Sequence, residues 1–455
     1  MTDLQDLTTR LLDAAKAAGA DSADTIAVSG DSLSIEVLNG KLEQAERSEG
    51  TEAGLRVFVG QRQATVSSSD LRAEALTDMA ERAIAMAKVA PEDPYCGIAD
   101  PADLADVTSA DGLDLADVAE AVPAELQEVA LAAEAAAASV SGVSKVQSAG
   151  AGWGGTDVWL AASNGFSGGY RRTSWSSSAV AITGEGLEME RDYCGEGRTY
   201  RSDLPDASEI GRIAGERTVA RKGSRKPVTG TYSVLYDERV SSSLIGHLIS
   251  AISGTSITRG SSWLSDALGT AVLPDGMSLV TDPKRPRISG SRPFDAEGLP
   301  TMKRDVVADG VLQSWTMDLS TARQLGLKST GNAARGTSSP PGPSMGNLEL
   351  TQGTASQEDL LRDMGTGLLV TAMIGSSFNA ISGDYSRGAS GFWVENGEIA
   401  YPVNECTIAG NLKDMLRRIV PANDARGHLS RVVPSLLVAD MTLAGSRPRA
   451  FAPSG

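Results

Sequence analysis

The stretch that decides the fold class reads TIAVSG at residues 25–30, LSIEVLNG at residues 33–40 and GLRVFVGQRQATVSSS at residues 54–69. These runs are rich in β-branched and apolar residues, and glycine, asparagine and aspartate separate them. Short β-rich runs divided by turn residues are typical of neighbouring antiparallel strands. We therefore predict an antiparallel meander between Ile26 and Ser69.

Helical patterns flank this meander. Leucines recur at helical spacing within residues 4–12, and the pattern stops near Gly19. A second helix is predicted from Asp70 to about Val89, with Asp70 as its N-terminal cap. A third helical pattern is interrupted or restarted at Pro123, because proline lacks the amide proton that a helix interior needs.

The chain is too long for one typical core, so we expect two domains. Strand-like runs return between Val143 and about Glu190, and the basic segment RKGSRKP at residues 221–227 follows a helical stretch. We predict an α+β fold with a boundary in that basic segment. Residues 1–225 would form an α+β domain with the meander and its flanking helices. Residues 226–455 would form a β-rich domain containing one prominent helix.

Composition excludes several classes of function. The formal net charge is −17 and the pI is about 4.7, whereas a nucleic-acid partner requires a basic surface. No segment reaches the ~20 apolar residues of a membrane span, and the N-terminus lacks the pattern of a secretory signal. Cys96, Cys194 and Cys406 are widely separated, which indicates free thiols in a reducing compartment. We expect a cytoplasmic protein without nucleic-acid or membrane partners.

Two glycine motifs invite a functional interpretation. GAGWGG at residues 150–155 has the spacing of a dinucleotide-binding loop, and GFSGG at residues 165–169 has that of a serine nucleophile elbow. Both motifs require a helix directly after them. Strand-forming residues follow instead, so we interpret both as chance matches in a glycine-rich chain.

One helix carries a histidine. SSSLIGHLIS at residues 241–250 has an apolar stripe, and His247 lies away from it, on the side of Ser243, Ser250 and Gly254. Another element could approach that small, polar face closely. A zinc protease needs at least three ligands and a glutamate beside the metal. The neighbouring turns contain neither, so this helix alone is not a zinc site.

A longer segment carries a family resemblance. Residues 292–333, RPFDAEGLPTMKRDVVADGVLQSWTMDLSTARQLGLKSTGNA, resemble the central signature of the TldD/TldE (PmbA) metalloprotease family, whose members are also described as modulators of DNA gyrase. FDAEGLP, ADGVL and STGNA are its most specific parts. The resemblance continues through TDVWLAASNGFSGGYRRTSWS in the N-terminal half and SGDYSRGASGFWVENGEIAYPVNECTIAGNLKDML in the C-terminal half. It therefore spans nearly the whole chain.

The resemblance separates two branches of this family. TldD-type chains carry HExxxH on the helix after the first strand of the C-terminal domain, with a further cysteine ligand near the C-terminus. Aligned here, the motif places its two histidines at Ser242 and His247 and its glutamate at Ser243. The C-terminal segment contains no cysteine, and Cys406 lies too far upstream to correspond. This is the pattern of the TldE/PmbA branch, which resembles a protease subunit without its own metal.

The resemblance implies a TldE/PmbA-type subunit that pairs with a zinc-bearing TldD-type chain and acts on unfolded or extended peptides. No cofactor is expected in this chain, and zinc is expected in the partner. Proteolysis in this family includes leader-peptide removal and turnover of small proteins. The expected cleft candidates are His247, Ser329, Thr330, Gly331, Asn332, Pro340 and Pro341.

The sequence leaves two other functions and one weak metal site open. The chain could be a self-sufficient peptidase acting as a homodimer, or a non-enzymatic regulator that binds gyrase or a toxin–antitoxin component. His428 could join His247 in a weak metal site, with Asp424 completing it. The Pro-rich loop (residues 335–347, RGTSSPPGPSMGN) has the composition of a solvated connector, which is more common than a functional lid.

Overall fold

A computed structural model describes residues 4–446 of the chain. The α-helices in this range are α1 (Leu4–Ala17), α2 (Ala73–Val89), α3 (Pro123–Ser139), α4 (Ala207–Ala220), α5 (Glu238–Ala251), α6 (Gly254–Thr258), α7 (Leu319–Leu325), α8 (Gln357–Met364) and α9 (Leu412–Leu416). Short 3₁₀ turns lie at 101–103, 186–188 and 201–203. None of the helices in the described range is both long and apolar enough to cross a membrane.

The N-terminal half is built on one antiparallel six-stranded sheet. Its strands are β1 (Ser22–Leu38), β2 (Lys41–Val59), β3 (Arg62–Ser68), β4 (Val143–Ala162), β5 (Ser167–Thr183) and β6 (Glu190–Arg198). They are ordered β3-β2-β1-β4-β5-β6, so the predicted meander of the first three strands is confirmed. Two-residue turns at Asn39–Gly40 and Gly60–Gln61 join them, and Asn39, Gly40 and Gly60 have the positive φ such turns require.

Side chains along β1 alternate between the two faces of the sheet, and five apolar ones mark the face that the helices cover. Ala23 and Ala27 pack under α1 and α2 at one end of the sheet, while Leu33, Ile35 and Val37 pack under α3 and α4 at the other. All five positions are odd-numbered, as expected for side chains on one face of a strand. The long strands therefore support two helix layers side by side.

The C-terminal half contains a closed barrel and a smaller sheet. Its strands are β7 (Gly230–Tyr236), β8 (Leu279–Thr281), β9 (Arg304–Ala308), β10 (Val311–Leu312), β11 (Ala333–Ala334), β12 (Gly342–Pro343), β13 (Leu348–Leu350), β14 (Gly367–Phe378), β15 (Asp384–Glu395), β16 (Glu398–Asn411), β17 (Val420–Pro421), β18 (Arg431–Val432) and β19 (Leu436–Ala444). β16, β15, β14, β7 and β19 pair in that order, and β16 also pairs with β19, which closes the barrel. The chain is thus α+β, as predicted.

Two helix starts differ in detail from the sequence expectation. Helix α2 begins at Ala73, and Asp70 does not cap it; its carboxylate instead accepts a hydrogen bond from the Arg72 amide. Helix α3 begins at Pro123, which occupies the first helical turn where its missing amide proton costs nothing. The helical pattern before Pro123 is therefore not continuous with α3.

The two glycine motifs lie in the sheet. Gly150–Gly155 is inside β4, and the residues from Ser167 onward belong to β5. The helix that a dinucleotide loop or a nucleophile elbow needs does not follow either motif. Their interpretation as chance matches agrees with this geometry.

The Pro-rich loop departs from its expectation as a solvated connector. Its first residues insert between the two halves, where the Arg335 side chain is fully buried and Thr337 is 9% exposed. Thr337 Oγ1 donates a hydrogen bond of 2.6 Å to Glu52 Oε2 on β2. The exposed residues of the loop are Gly336, Ser338–Pro340 and Ser344. Composition failed here because a short polar loop can still be covered by a partner that is distant in sequence.

The close contact between this loop and β2 yields a first prediction. A Cβ at Gly54 would lie 2.0 Å from the carbonyl oxygen of Thr337, so Gly54→Ala must push the loop away. We expect a loss of about 1–3 kcal/mol in the free energy of unfolding, measured by urea denaturation. Gly50→Ala on the same strand is the control, because nothing lies within 4 Å of its added Cβ. Equal stability of the two variants would contradict the contact.

Candidate functional site

Helix α5 is where the histidine motif lies. Asp237 precedes it, and its carboxylate accepts hydrogen bonds from the amide and the Nε of Arg239, which fixes the first turn. Leu244, Ile245 and Leu248 are fully buried in the core of the C-terminal half. The apolar stripe predicted from the sequence therefore faces the core, and the polar side of α5 is left to contact other elements.

His247 lies on that polar side and is covered by one end of the β14–β15 hairpin. Its ring centroid is 4.6 Å from that of Phe378 and 5.7 Å from that of Tyr385. Within the described residues, His247 Nε2 and Ser243 Oγ are buried without a hydrogen-bond partner. Burial, with a smaller contribution from Arg387, lowers the pKa of His247, so the imidazole is neutral near pH 7.

The residues at the aligned zinc positions do not suit zinc. A serine hydroxyl is a weak ligand compared with imidazole, thiolate or carboxylate, and Ser243 cannot serve as a general base. Of the three aligned positions, only His247 offers a strong donor, where a catalytic site needs three ligands. The carboxylate of the same helix, Glu238, pairs with Arg426 at 2.7 Å. Within residues 4–446, no group of three or more His, Cys, Asp or Glu side chains is arranged to hold a metal ion. We derive no zinc chemistry for this helix.

His428 lies in a different environment. It lines a cavity of about 600 Å³ with Trp175 and Arg287, and its Nε2 is 3.5 Å from Glu196 Oε2. Burial, together with Arg198, lowers its pKa despite Glu196.

His428 and Asp424 therefore do not join His247. Within residues 4–446, the His247 ring packs against Phe378 and Tyr385, whereas His428 faces Glu196 in a separate cavity. Both oxygens of Asp424 are engaged, because they accept hydrogen bonds of 2.7 and 2.6 Å from Ser435 N and Oγ. The structure does not bring these three residues together as a donor set.

The segment Ser329–Asn332 makes mainly internal contacts. Ser329 and Thr330 bond the backbone of Met317, and Asn332 Oδ1 accepts a 2.6 Å hydrogen bond from Arg304. Gly331 has a positive φ of 63°, and an added Cβ would lie 2.4 Å from a carbonyl oxygen of a neighbouring loop. These contacts position the loop, and a role in lining a substrate cleft stays a prediction.

Pro340 and Pro341 do line a cavity. It has a volume of about 250 Å³ and lies between the two halves; we call it the interdomain pocket. Its lining residues are Arg56, Gln63, Cys96, Gly97, Thr255, Thr258, Arg259, Glu297, Asp318, Ser320, Thr321, Gln324, Pro340, Pro341 and Gly342. The two prolines and the FDAEGLP segment, which are far apart in sequence, thus meet at one place.

Beside this pocket lies a buried charge cluster of Asp24, Arg56 and Arg335. Arg56 Nε donates a 3.0 Å hydrogen bond to Asp24 Oδ2, and Arg335 donates to the other carboxylate oxygen. The three side chains are 5%, 6% and 0% exposed, respectively. Burial opposes ionisation of Asp24, but the two guanidinium groups outweigh it and lower the pKa of the carboxyl.

Glu297 is the buried acid that sequence reasoning missed. Its Oε2 accepts a 2.8 Å hydrogen bond from the Leu319 amide, and the residue is 7% exposed. Burial, and then the neighbouring Asp295, raise its pKa to about 8. The signal in the sequence was an acid within the apolar run FDAEGLP, but only the fold shows that this acid is desolvated.

Comparisons with known proteins agree on one family. Domain profiles described as PmbA/TldA metallopeptidase domain 1, central domain and C-terminal domain match residues 23–87, 116–222 and 229–445. The chain is 36% identical to metalloprotease PmbA of Escherichia coli O157:H7 over 91% of this chain and 90% of that protein.

Two solved structures share the fold. A Bacteroides thetaiotaomicron protein named as a modulator of DNA gyrase is 26% identical, with a TM-score of 0.89 over 98% of this chain and all of that one. TldE of Thermococcus kodakarensis is 18% identical, with a TM-score of 0.84 over 96% of this chain and all of that one. Because TldE of Thermococcus kodakarensis is only 18% identical, its similarity to this chain concerns the fold alone.

Proposed function

This chain belongs to the PmbA/TldD family of metallopeptidases, and on that premise we propose that it is a TldE/PmbA-type subunit of a cytoplasmic peptidase. It works with a zinc-bearing TldD-type partner on unfolded or extended peptides. The proposal rests on two residues of α5 at the aligned zinc positions. Ser242 stands where the motif has a histidine ligand, and Ser243 stands where it has the glutamate base. The family contains both PmbA-type and TldD-type proteins, which supports a division of labour.

In this scheme the partner supplies the metal chemistry, and this chain supplies a wall that holds the peptide. Extended peptides often bind by adding to a free strand edge. The C-terminal barrel closes on itself, whereas β3 and β6 are the outer strands of the N-terminal sheet. Of these two, β6 is partly covered, because Thr218 on α4 bonds the Asp192 amide. These contacts favour β3 as the edge that is available to a peptide.

The test compares three samples: this chain alone, a TldD-type partner alone, and the two co-expressed. We expect stoichiometric zinc only where the partner is present, and full cleavage of an unfolded peptide only in the mixture. Zinc and chelator-sensitive cleavage in this chain alone would overturn the proposal in favour of a self-sufficient peptidase. Capture of gyrase by this chain alone, with no gain in cleavage on mixing, would favour the regulator.

A further inference from the structure

Buried acidic groups outnumber buried basic groups at the interdomain pocket. Its lining and the groups directly behind it contain four carboxyl groups that are at most 7% exposed, namely Asp24, Asp295, Glu297 and Asp318. The fully covered guanidinium groups there are those of Arg56 and Arg335, and both bond Asp24. Asp295 is compensated by three backbone amides and by the charge of Arg292, and Asp318 caps α7. Glu297 is left as the acid without a positive partner.

The side chain of Glu297 lies in the wall of the pocket and has one hydrogen-bond partner in the described part of the chain. One oxygen accepts the Leu319 amide, and the other receives no hydrogen bond from any of the residues 4–446. In the same range, no lysine, arginine or histidine nitrogen forms an ion pair with it within 4.0 Å. A buried carboxylate in this situation is costly unless a donor of positive charge joins it. Glu297 lines the interdomain pocket, which is large enough for a small group.

We propose that the interdomain pocket binds one cationic group, the guanidinium or ammonium of a basic side chain carried by a peptide, and that Glu297 is its counter-ion. The pocket volume of about 250 Å³ is below that of typical ligand sites, which suits a single side chain and excludes a folded segment. Pro340 and Pro341 form part of the rim with the flat, apolar surface that a basic side chain's methylene stem covers well.

Several other charged groups surround the pocket. Arg323 lies beside Gly97 of the lining, and its guanidinium is held by the carbonyl oxygens of Tyr95, Gly97 and Ile98. Arg56 faces Glu297, but its charge is shared with Asp24. Asp318 adds negative charge from the start of α7. Arg259 is exposed to solvent, where its repulsion is screened. The raised pKa of Glu297 fits the empty pocket: without a cation the carboxyl is largely neutral at pH 7, and a bound cation stabilises its charged form.

The test is calorimetric titration of the purified full chain with Nα-acetyl-L-arginine amide at pH 7. Its neutral isostere, Nα-acetyl-L-citrulline amide, is the matched ligand. We expect the arginine ligand to bind at least tenfold more tightly. Glu297→Gln should abolish that difference, and Glu398→Gln, an exposed acid outside the pocket, should preserve it. No binding, equal affinity for the two ligands, or an unchanged preference in Glu297→Gln would overturn the proposal.

A second measurement uses only the wild-type chain, so it stands even if a variant fails to fold. Arginine stays charged throughout, whereas Glu297 ionises near pH 8. Affinity for the arginine ligand should therefore rise roughly tenfold from pH 6 to pH 7, rise less steeply towards pH 8 and level off above it. A flat profile would contradict the role of Glu297.

A third arm distinguishes the carrier of the cation. An eight-residue Gly/Ser peptide with one central arginine should bind at least as tightly as the small amide, and its citrulline counterpart should not. Binding of the amide without the peptide would overturn the peptide assignment and leave a site for a free small cation. The peptide carrier rests on the proposed function, but none of these titrations needs a partner subunit or cleavage. A failure here therefore leaves the three-sample test untouched.

Discussion

Replacing Asp24 by alanine is expected to lower the free energy of unfolding by about 3–5 kcal/mol, which is the cost of leaving buried charges without their partner. Asp24 joins Arg56 from the same sheet to Arg335 from the other half of the chain, and all three side chains are at most 6% exposed. Without the carboxylate, two guanidinium groups remain in a dry interface. Urea denaturation of the full chain at pH 7 measures the loss.

Asp31→Ala is the matched control on the same strand. Asp31 pairs with Arg171 at 3.7 Å, but the two side chains are 35% and 40% exposed, so solvent screens the pair. The control should lose less than about 1 kcal/mol. If both variants lost the same amount, the buried charge cluster would not be the main electrostatic link between the halves.

Replacing Glu297 by glutamine should stabilise the protein at pH 8 and have little effect at pH 5. The pKa of Glu297 is about 8 in the folded chain, against an ordinary value of 4.5. Between these values unfolding releases a proton, so the stability of the wild type falls as pH rises. The stabilisation that the protonated Glu297 contributes is fully present below about pH 4.5 and is lost as the pH rises to 8. Glutamine keeps the hydrogen-bond acceptor for the Leu319 amide and cannot ionise.

We expect the difference in free energy of unfolding between Glu297→Gln and the wild type to grow by roughly 3–5 kcal/mol from pH 5 to pH 8. Urea denaturation at several pH values measures it. Glu398→Gln again serves as the control, because that acid is exposed and both states ionise alike. A difference that stays constant with pH would show that Glu297 is ionised in the folded chain.

Local sequence patterns predicted most of the secondary structure. The meander, the amphipathic α1 and the helix α5 followed from periodicity and turn residues, because each depends on neighbours within a few positions. The two exceptions have different causes. Asp70 bonds an amide before α2 begins. The segment before Pro123 is not helical because its backbone bonds β5 instead: the Leu115 carbonyl accepts the Thr173 amide, and the Asp117 amide donates to Thr173 Oγ1.

The sequence predicted fewer features of the candidate site than of the secondary structure. His247 was placed correctly on a polar face of α5, but its contacts with Phe378 and Tyr385 come from a hairpin about 130 residues away. The Pro-rich loop was judged by its composition, and composition carries no information about Arg335 and its burial. Glu297 looked like an ordinary acid in an apolar run.

The sequence by itself determined the α+β class, the order of helices and strands as far as α5, the family resemblance and the serines at the aligned ligand positions. Only the tertiary structure decided which charges are buried and which are paired. Asp24 and Arg335 are separated by 311 positions, yet they share a hydrogen bond. The ionisation of Glu297 likewise depends on groups brought together by both halves. The physical reason is that desolvation is set by everything that packs around a group, and a linear pattern records only its chain neighbours.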